Sequence, residues 1–209
     1  MSASQAEDAG SIPVTCSMNR RLAHNMNYIF LDLDGVLNRE TTFFEFLGEW
    51  RLSPFLVKLF SCLCKEFDAK VVLSSSWRRN LNDDLTLKKH CLKIKEYYAE
   101  RGIEGDTETE YLLKTFKENG IQLVGKTDED RQRYYGWDRV GQINRYIKKY
   151  LDKDDKFIII DDEDIFGEAG HLTEEEEKLQ SHFIRTDFYK GFDYDAYQRA
   201  RRKLKITLA

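Results

Sequence analysis

Residues 28–38 read YIFLDLDGVLN. Five of the six residues from Tyr28 to Leu33 are apolar or aromatic, the composition of a strand covered on both faces. The run then delivers Asp32 and Asp34, two positions apart, and passes at once into Gly35. Two unpaired carboxylates at the end of a buried strand carry a desolvation cost, so the rest of the chain must supply something that offsets it.

Downstream, Ser53-Pro54 sets an N-cap serine before a first-turn proline, and Leu56, Leu59, Phe60, Leu63 and Phe67 continue as a helical stripe. KVVL (70–73) is a second strand and runs into SSSWRR. Strand, helix and strand in this order form a β-α-β unit, which implies parallel pairing. Residues 80–104 read as polar and helical, with Leu85, Leu92, Ile94 and Tyr98 turned inward. Thr107 and Glu110 fit a capping box for a helix that ends at Asn119-Gly120. IQLVG (121–125) is a third strand, and KTDEDRQRYYG after it is a polar loop. From Trp137, the positions Val140, Ile143, Asn144, Ile147 and Leu151 mark an amphipathic helix. KFIII (156–160) is a fourth strand and ends in DDEDIF. Thr173 and Glu176 open another helix, HFIRTD contains a fifth strand, and 193–205 form a last helix. The alternation predicts an α/β fold, a three-layer Rossmann-like sandwich on a mainly parallel sheet.

A length of 209 residues suits one domain, here 27–209 after a flexible leader over 1–26. The chain is 41% hydrophobic and 33% charged, as expected of a globular protein. Its net charge of -4 argues against a surface built generally for nucleic acid. No apolar run approaches the roughly 18 residues that span a membrane, so no membrane partner is expected. Residues 1–26 lack the apolar stretch of a secretory signal. Cys16, Cys62, Cys64 and Cys91 make no disulfide framework and read as reduced thiols of a cytoplasmic protein. The acidic run 174–177 and the basic run 199–205 read as solvated helix faces.

Reactive groups of open parallel sheets collect beyond the carboxyl ends of the strands. There the first strand offers Asp32 and Asp34, the second Ser74, Ser75 and Ser76, and the fourth Asp161, Asp162 and Asp164. Carboxylates gathered at one rim repel each other unless a cation is present, and oxygen-only ligands point to Mg²⁺. No His/Cys set at zinc-like spacing competes, since His24, His90, His171 and His182 are scattered. Metal-bound carboxylates beside a serine suit phosphoryl transfer, with one aspartate as nucleophile and the second, facing the same way on an extended chain, moving protons.

These segments resemble the haloacid dehalogenase (HAD) superfamily. FLDLDGVLN resembles its first motif, VVLSSSWR its second, and KFIIIDDEDIF its fourth. The third motif is a lone basic residue; Arg139 in GWDRVGQINRYI is the best match, with Arg145 and Lys126 as weaker ones. The finer pattern, DGVLN, SSSWR, an arginine and a DD pair, resembles the HAD group associated with RNA-repair systems. The resemblance implies Asp32 as nucleophile and Mg²⁺ ligand. It makes Asp34 the general acid/base, with its backbone carbonyl on the metal, and Ser74 or Ser75 the phosphate-binding hydroxyl. Arg139 would steady the phosphoryl group, and Asp161 or Asp162 would complete the metal site. An arginine where the third motif more often has lysine departs from the pattern. The second aspartate of the DxD favours a phosphatase over a dehalogenase.

The implied activity is a Mg²⁺-dependent phosphomonoesterase acting through an aspartyl-phosphate. Its expected partner is a phosphorylated substrate: a small molecule, a nucleic-acid end or nucleotide, or a phosphoprotein. The alternative is a receiver-like phosphorylated signalling module, although receivers lack DxDG. No obligate protein partner is evident. A small flap over 39–52, carrying Phe43, Phe44, Phe46 and Trp50, and a helical insertion over 80–120 are the candidate cap elements. So small a cap leaves the site open to macromolecular phosphates. Trp77-Arg78 reads as a cap with a snorkelling arginine or as a substrate contact, and Tyr134, Tyr135 and Trp137 as packing or as base-stacking groups.

Overall fold

Five parallel strands form one sheet in the order β3-β2-β1-β4-β5. They are β1 Asn27–Leu31, β2 Lys70–Leu73, β3 Gln122–Lys126, β4 Lys156–Asp161 and β5 Phe183–Arg185. The computed structural model describes residues 25–45, 51–102, 105–129, 138–166 and 172–206. The leader (apart from 25 and 26), Phe46, Trp50, Tyr134, Tyr135, Trp137 and His171 lie outside the described residues.

The central strand β1 pairs with β2 on one side, Leu31 opposite Leu73, and with β4 on the other, Leu31 opposite Ile160. Chain order reverses between β1 and β4, so the crevice at their carboxyl ends is the switch point where sites of this architecture form. Seven helices occur among the described residues: α1 Glu40–Glu45, α2 Pro54–Phe67, α3 Lys89–Ala99, α4 Glu108–Asn119, α5 Arg139–Tyr150, α6 Glu174–Ser181 and α7 Tyr194–Ile206.

Successive strand residues point to opposite faces, and the two cores follow that parity. Ile29, Leu31, Val71, Leu73, Ile158 and Ile160 pack with α2, α4 and α7 through Phe60, Leu63, Leu112, Phe116, Ala200 and Leu204. Phe30, Val72 and Ile159 pack on the other face with Val140 and Ile143 of α5 and Leu179 of α6. Burial on both faces explains the unbroken apolar runs and gives the three layers.

The capping boxes at Thr107/Glu110 and Thr173/Glu176 are both present, and Gly120 closes α4 in the left-handed region. Ser53 precedes Pro54 at the start of α2 as expected, but its side chain makes no cap bond. The 80–104 reading needs correction. Asp84 accepts from the Thr86 backbone N–H at 3.0 Å, and Leu85 takes a positive φ of 64°. That turn diverts the chain, so the helix begins only at Lys89. Leu92, Ile94 and Tyr98 are exposed rather than inward, and Cys91 is the buried residue of α3. By contrast α4 lies on the sheet as the β2-to-β3 crossover, with Leu112 and Phe116 in the core. Among the described residues no helix is long and apolar enough to cross a membrane.

Candidate active site

Asp32, Ser74 and Asp161 each stand two residues beyond Phe30, Val72 and Ile159, the strand positions that face α5. The apolar row therefore continues, at the carboxyl ends of the strands, as a polar one. Asp32 and Asp161 are buried and Asp162 is half-buried, and one carboxylate oxygen from each falls within 4.8 Å of the others. The first residue of α5, Arg139, reaches this group: its Nη1 lies 3.2 Å from Asp32 Oδ2 and donates to Asp161 Oδ2. Asp138 caps the helix by accepting from the Gly141 N–H at 3.0 Å, which fixes where Arg139 begins. Asp161 Oδ1 in turn accepts from the Glu163 backbone N–H at 3.0 Å.

One guanidinium against three carboxylates leaves two negative charges in a buried setting. Burial pushes Asp32 up to about 7, helped by Asp161 and Asp34 and only partly opposed by Arg139. Burial likewise raises Asp161 to about 6 against the pull of Arg139. Asp162 rises to about 6 through burial and the nearby Asp32. For Arg139 burial works against the charge, but Asp32 and Asp161 outweigh it and raise its pKa above the ordinary arginine value. An all-oxygen donor set with an excess of two negative charges fits a small hard divalent cation.

The Asp34 carboxylate stands outside that group of three. Its Oδ1 accepts from Asn38 Nδ2 at 2.9 Å and its Oδ2 from Trp77 Nε1 at 3.3 Å. Gly35 turns the chain here with φ at 67°, and a Cβ at this position would run into the Asp162 side chain. The Gly35 N–H donates to Asn38 Oδ1 at 3.1 Å, and Thr186 Oγ1 donates to the Gly35 carbonyl at 2.9 Å. The sequence alone assigns no role to Asn38 or Thr186. Asn38 was visible as the polar residue closing an otherwise apolar GVLN, but nothing local marks Thr186, which follows β5.

The serines divide their work. Ser75 Oγ accepts from the Trp77 N–H at 3.5 Å and caps the 3₁₀ turn Ser76–Asn80. Ser74 Oγ is buried and finds no partner among the described residues, as is also true of Arg139 Nε. Arg78 does not snorkel: it is 1% exposed. Its Nη1 donates to the carbonyls of Ser74 and Ser75 at 2.7 and 2.6 Å, and its Nη2 donates to Gln142 Oε1 at 2.6 Å. The guanidinium thus ties the serine segment to α5. Lys126 and Arg145 are engaged away from the carboxylates, Lys126 with the Leu81 carbonyl at 2.7 Å and Arg145 with Asp128 at 2.8 Å. Cys62 is exposed and Cys64 buried, so the closely spaced thiols do not converge. Beside Asp162 opens a cavity of about 820 Å³ bordered by Glu163, Arg185, Thr186, Tyr189 and Lys190.

A family model described as the HAD domain in Swiss Army Knife RNA repair proteins matches residues 28–196, from the first residues of β1 into α7. No curated protein and no solved structure matches the chain.

Proposed function

The chain belongs to the family of HAD domains in Swiss Army Knife RNA repair proteins, and from that premise we propose that it is a Mg²⁺-dependent phosphatase that removes terminal phosphates from nucleic acid through an aspartyl-phosphate on Asp32. The observation that carries this reading is the convergence of Asp32, Asp161 and Asp162 within 4.8 Å beside Arg139. Such a set of carboxylates is costly without a cation to complement it. Asp32, Asp161 and Asp162, with the backbone carbonyl of Asp34, would hold Mg²⁺. When bound, the ion neutralises charge on the phosphoryl oxygens.

In the first step Asp32 Oδ attacks phosphorus. The ester P–O bond breaks, its electron pair leaves on the alcohol oxygen, and that oxygen takes a proton from Asp34. In the second step Asp34, now a carboxylate, accepts a proton from water as the water oxygen attacks phosphorus. The bond to Asp32 breaks, inorganic phosphate leaves, and the Asp32 carboxylate is restored. Ser74 Oγ, buried and lacking a partner, is the hydroxyl suited to donate to a phosphoryl oxygen, whereas Ser75 is committed to its cap. Arg139 favours the ionised form of Asp32 and partly offsets the burial that raises its pKa.

A nucleic-acid end as substrate is supported by the family description. A turnover screen of the purified chain with Mg²⁺ tests this, using 5′- and 3′-phosphorylated oligonucleotides, nucleotides, sugar phosphates and phosphopeptides. The expected result is Mg²⁺-dependent release of phosphate from an oligonucleotide end, abolished by Asp32→Asn. Release from phosphopeptides alone would overturn the substrate, and release untouched by Asp32→Asn would overturn the mechanism.

A further inference from the structure

We propose that Trp77, with Asn38, is a positioning residue that holds the Asp34 carboxyl group against the leaving oxygen of the substrate, a role that rests on the phosphatase reading above. Proton transfer to a leaving group needs the donor held at about 2.6–3.2 Å. Asp34 lies beyond the end of β1, next to a glycine turn, and its carboxyl group is only half-buried. Left to itself, a short side chain at a turn samples several rotamers. Here each oxygen is held: Oδ1 by Asn38 Nδ2 at 2.9 Å and Oδ2 by Trp77 Nε1 at 3.3 Å. A protonated carboxyl group keeps its O–H donor besides its acceptor lone pairs, so two such accepted bonds still leave the O–H for the substrate.

Both donors are themselves immobilised. Asn38 is fully buried and spends its carbonyl oxygen on the Gly35 N–H. Trp77 is 7% exposed and packs in the larger core. Its backbone N–H is bound by Ser75 Oγ at 3.5 Å, and the next residue, Arg78, is clamped to the Ser74 and Ser75 carbonyls and to Gln142. One short segment therefore carries the Ser74 hydroxyl at one end and grips Asp34 at the other. The spacing between phosphate contact and proton donor is fixed by covalent connection within SSSWR and not by a moving lid.

Two esters separate this role from a merely structural one. An alkyl phosphate, such as a phosphorylated oligonucleotide end, needs its leaving oxygen protonated, whereas p-nitrophenyl phosphate departs as a stable phenolate. In Trp77→Phe, kcat/KM for the alkyl ester is expected to fall at least ~10-fold more than for the aryl ester, within the 10²–10⁴-fold range of general acid catalysis. Adding Trp77→Phe to Asp34→Asn is expected to cost nothing further, because both remove the same function. In the ¹⁵N–¹H spectrum, Asp34→Asn should shift the indole N–H resonance of Trp77, one of three tryptophans. Asn38→Leu serves as the second variant should Trp77→Phe not fold. An equal fall for both esters, a further loss on the Asp34→Asn background, or an unmoved indole resonance would overturn the proposal. No turnover of either ester by the wild-type protein sinks the phosphatase reading and the proposal with it, whereas turnover with an equal fall sinks the proposal alone.

Discussion

Arg139→Met isolates the electrostatic balance of the site. The guanidinium contacts Asp32 and Asp161, with the side chains of all three less than a tenth exposed. Methionine keeps much of the volume of the stem but leaves the carboxylates without a counter-charge. Breaking a buried ion pair by removing one partner costs ~3–5 kcal/mol. For a chain of this length each kcal/mol lowers Tm by about 2–4 °C, so a fall of roughly 6–20 °C is expected in metal-free buffer near pH 8. The pH dependence carries the argument. Arg139 lowers the pKa of both partners, so its removal lets Asp32 and Asp161 rise still further above about 7 and about 6. Near pH 5 both are then protonated in the folded state, no charge is left unpaired, and only the lost packing remains, about 1 kcal/mol. Thermal melts of wild type and variant with chelator, at about pH 5 and about pH 8, read the difference directly. A Tm fall of the same size at both pH values would refute the reasoning.

Three further outcomes follow from the geometry. The raised pKa values of Asp32, Asp161 and Asp162 mean that the folded metal-free protein binds more protons than the unfolded chain. Their contribution to stability is full below the ordinary carboxylate value of 3.8 and is lost as pH rises through about 6 to 7. Mg²⁺ should therefore raise Tm far more near pH 8 than near pH 5, and an equal gain at both would count against a site on these carboxylates. Ser74→Ala removes a buried hydroxyl that has no partner, so Tm should hold while kcat/KM falls about 10–100-fold, the worth of a hydrogen bond to a charged group. Ser75→Ala should do the reverse, costing about 0.5–1 kcal/mol of cap with little change in kcat/KM. Gly35→Ala forces a left-handed alanine and a Cβ into Asp162. A loss of about 1–3 kcal/mol and a weaker Mg²⁺ response, read by melts with and without Mg²⁺, are expected.

The parity of the strands made much of this site legible. Once YIFLDL, KVVL and KFIII are accepted as strands buried on both faces, Asp32, Ser74 and Asp161 must emerge on one rim, and they do. The capping boxes were equally local signals. What stayed hidden depends on contacts between distant segments. Asp34 was expected to face the same way as Asp32 on an extended chain, but β1 ends at Leu31 and Gly35 turns, so Asp34 is gripped separately by Asn38 and Trp77. Nothing in SSSWRR says which arginine is buried; only the carbonyls of Ser74 and Ser75 and the Gln142 side chain decide for Arg78. The 80–104 stretch misled because apolar residues were read as a stripe across the Asp84–Thr86 turn that breaks it.

The central claim is covalent chemistry at Asp32, and the most direct measurement is acid quenching of the protein during turnover of a phosphate-labelled oligonucleotide. A phosphoryl label released by hydroxylamine is expected, mapping to the peptide that carries Asp32 and absent from Asp32→Asn. Turnover with no protein-bound label, and undiminished in Asp32→Asn, would contradict it.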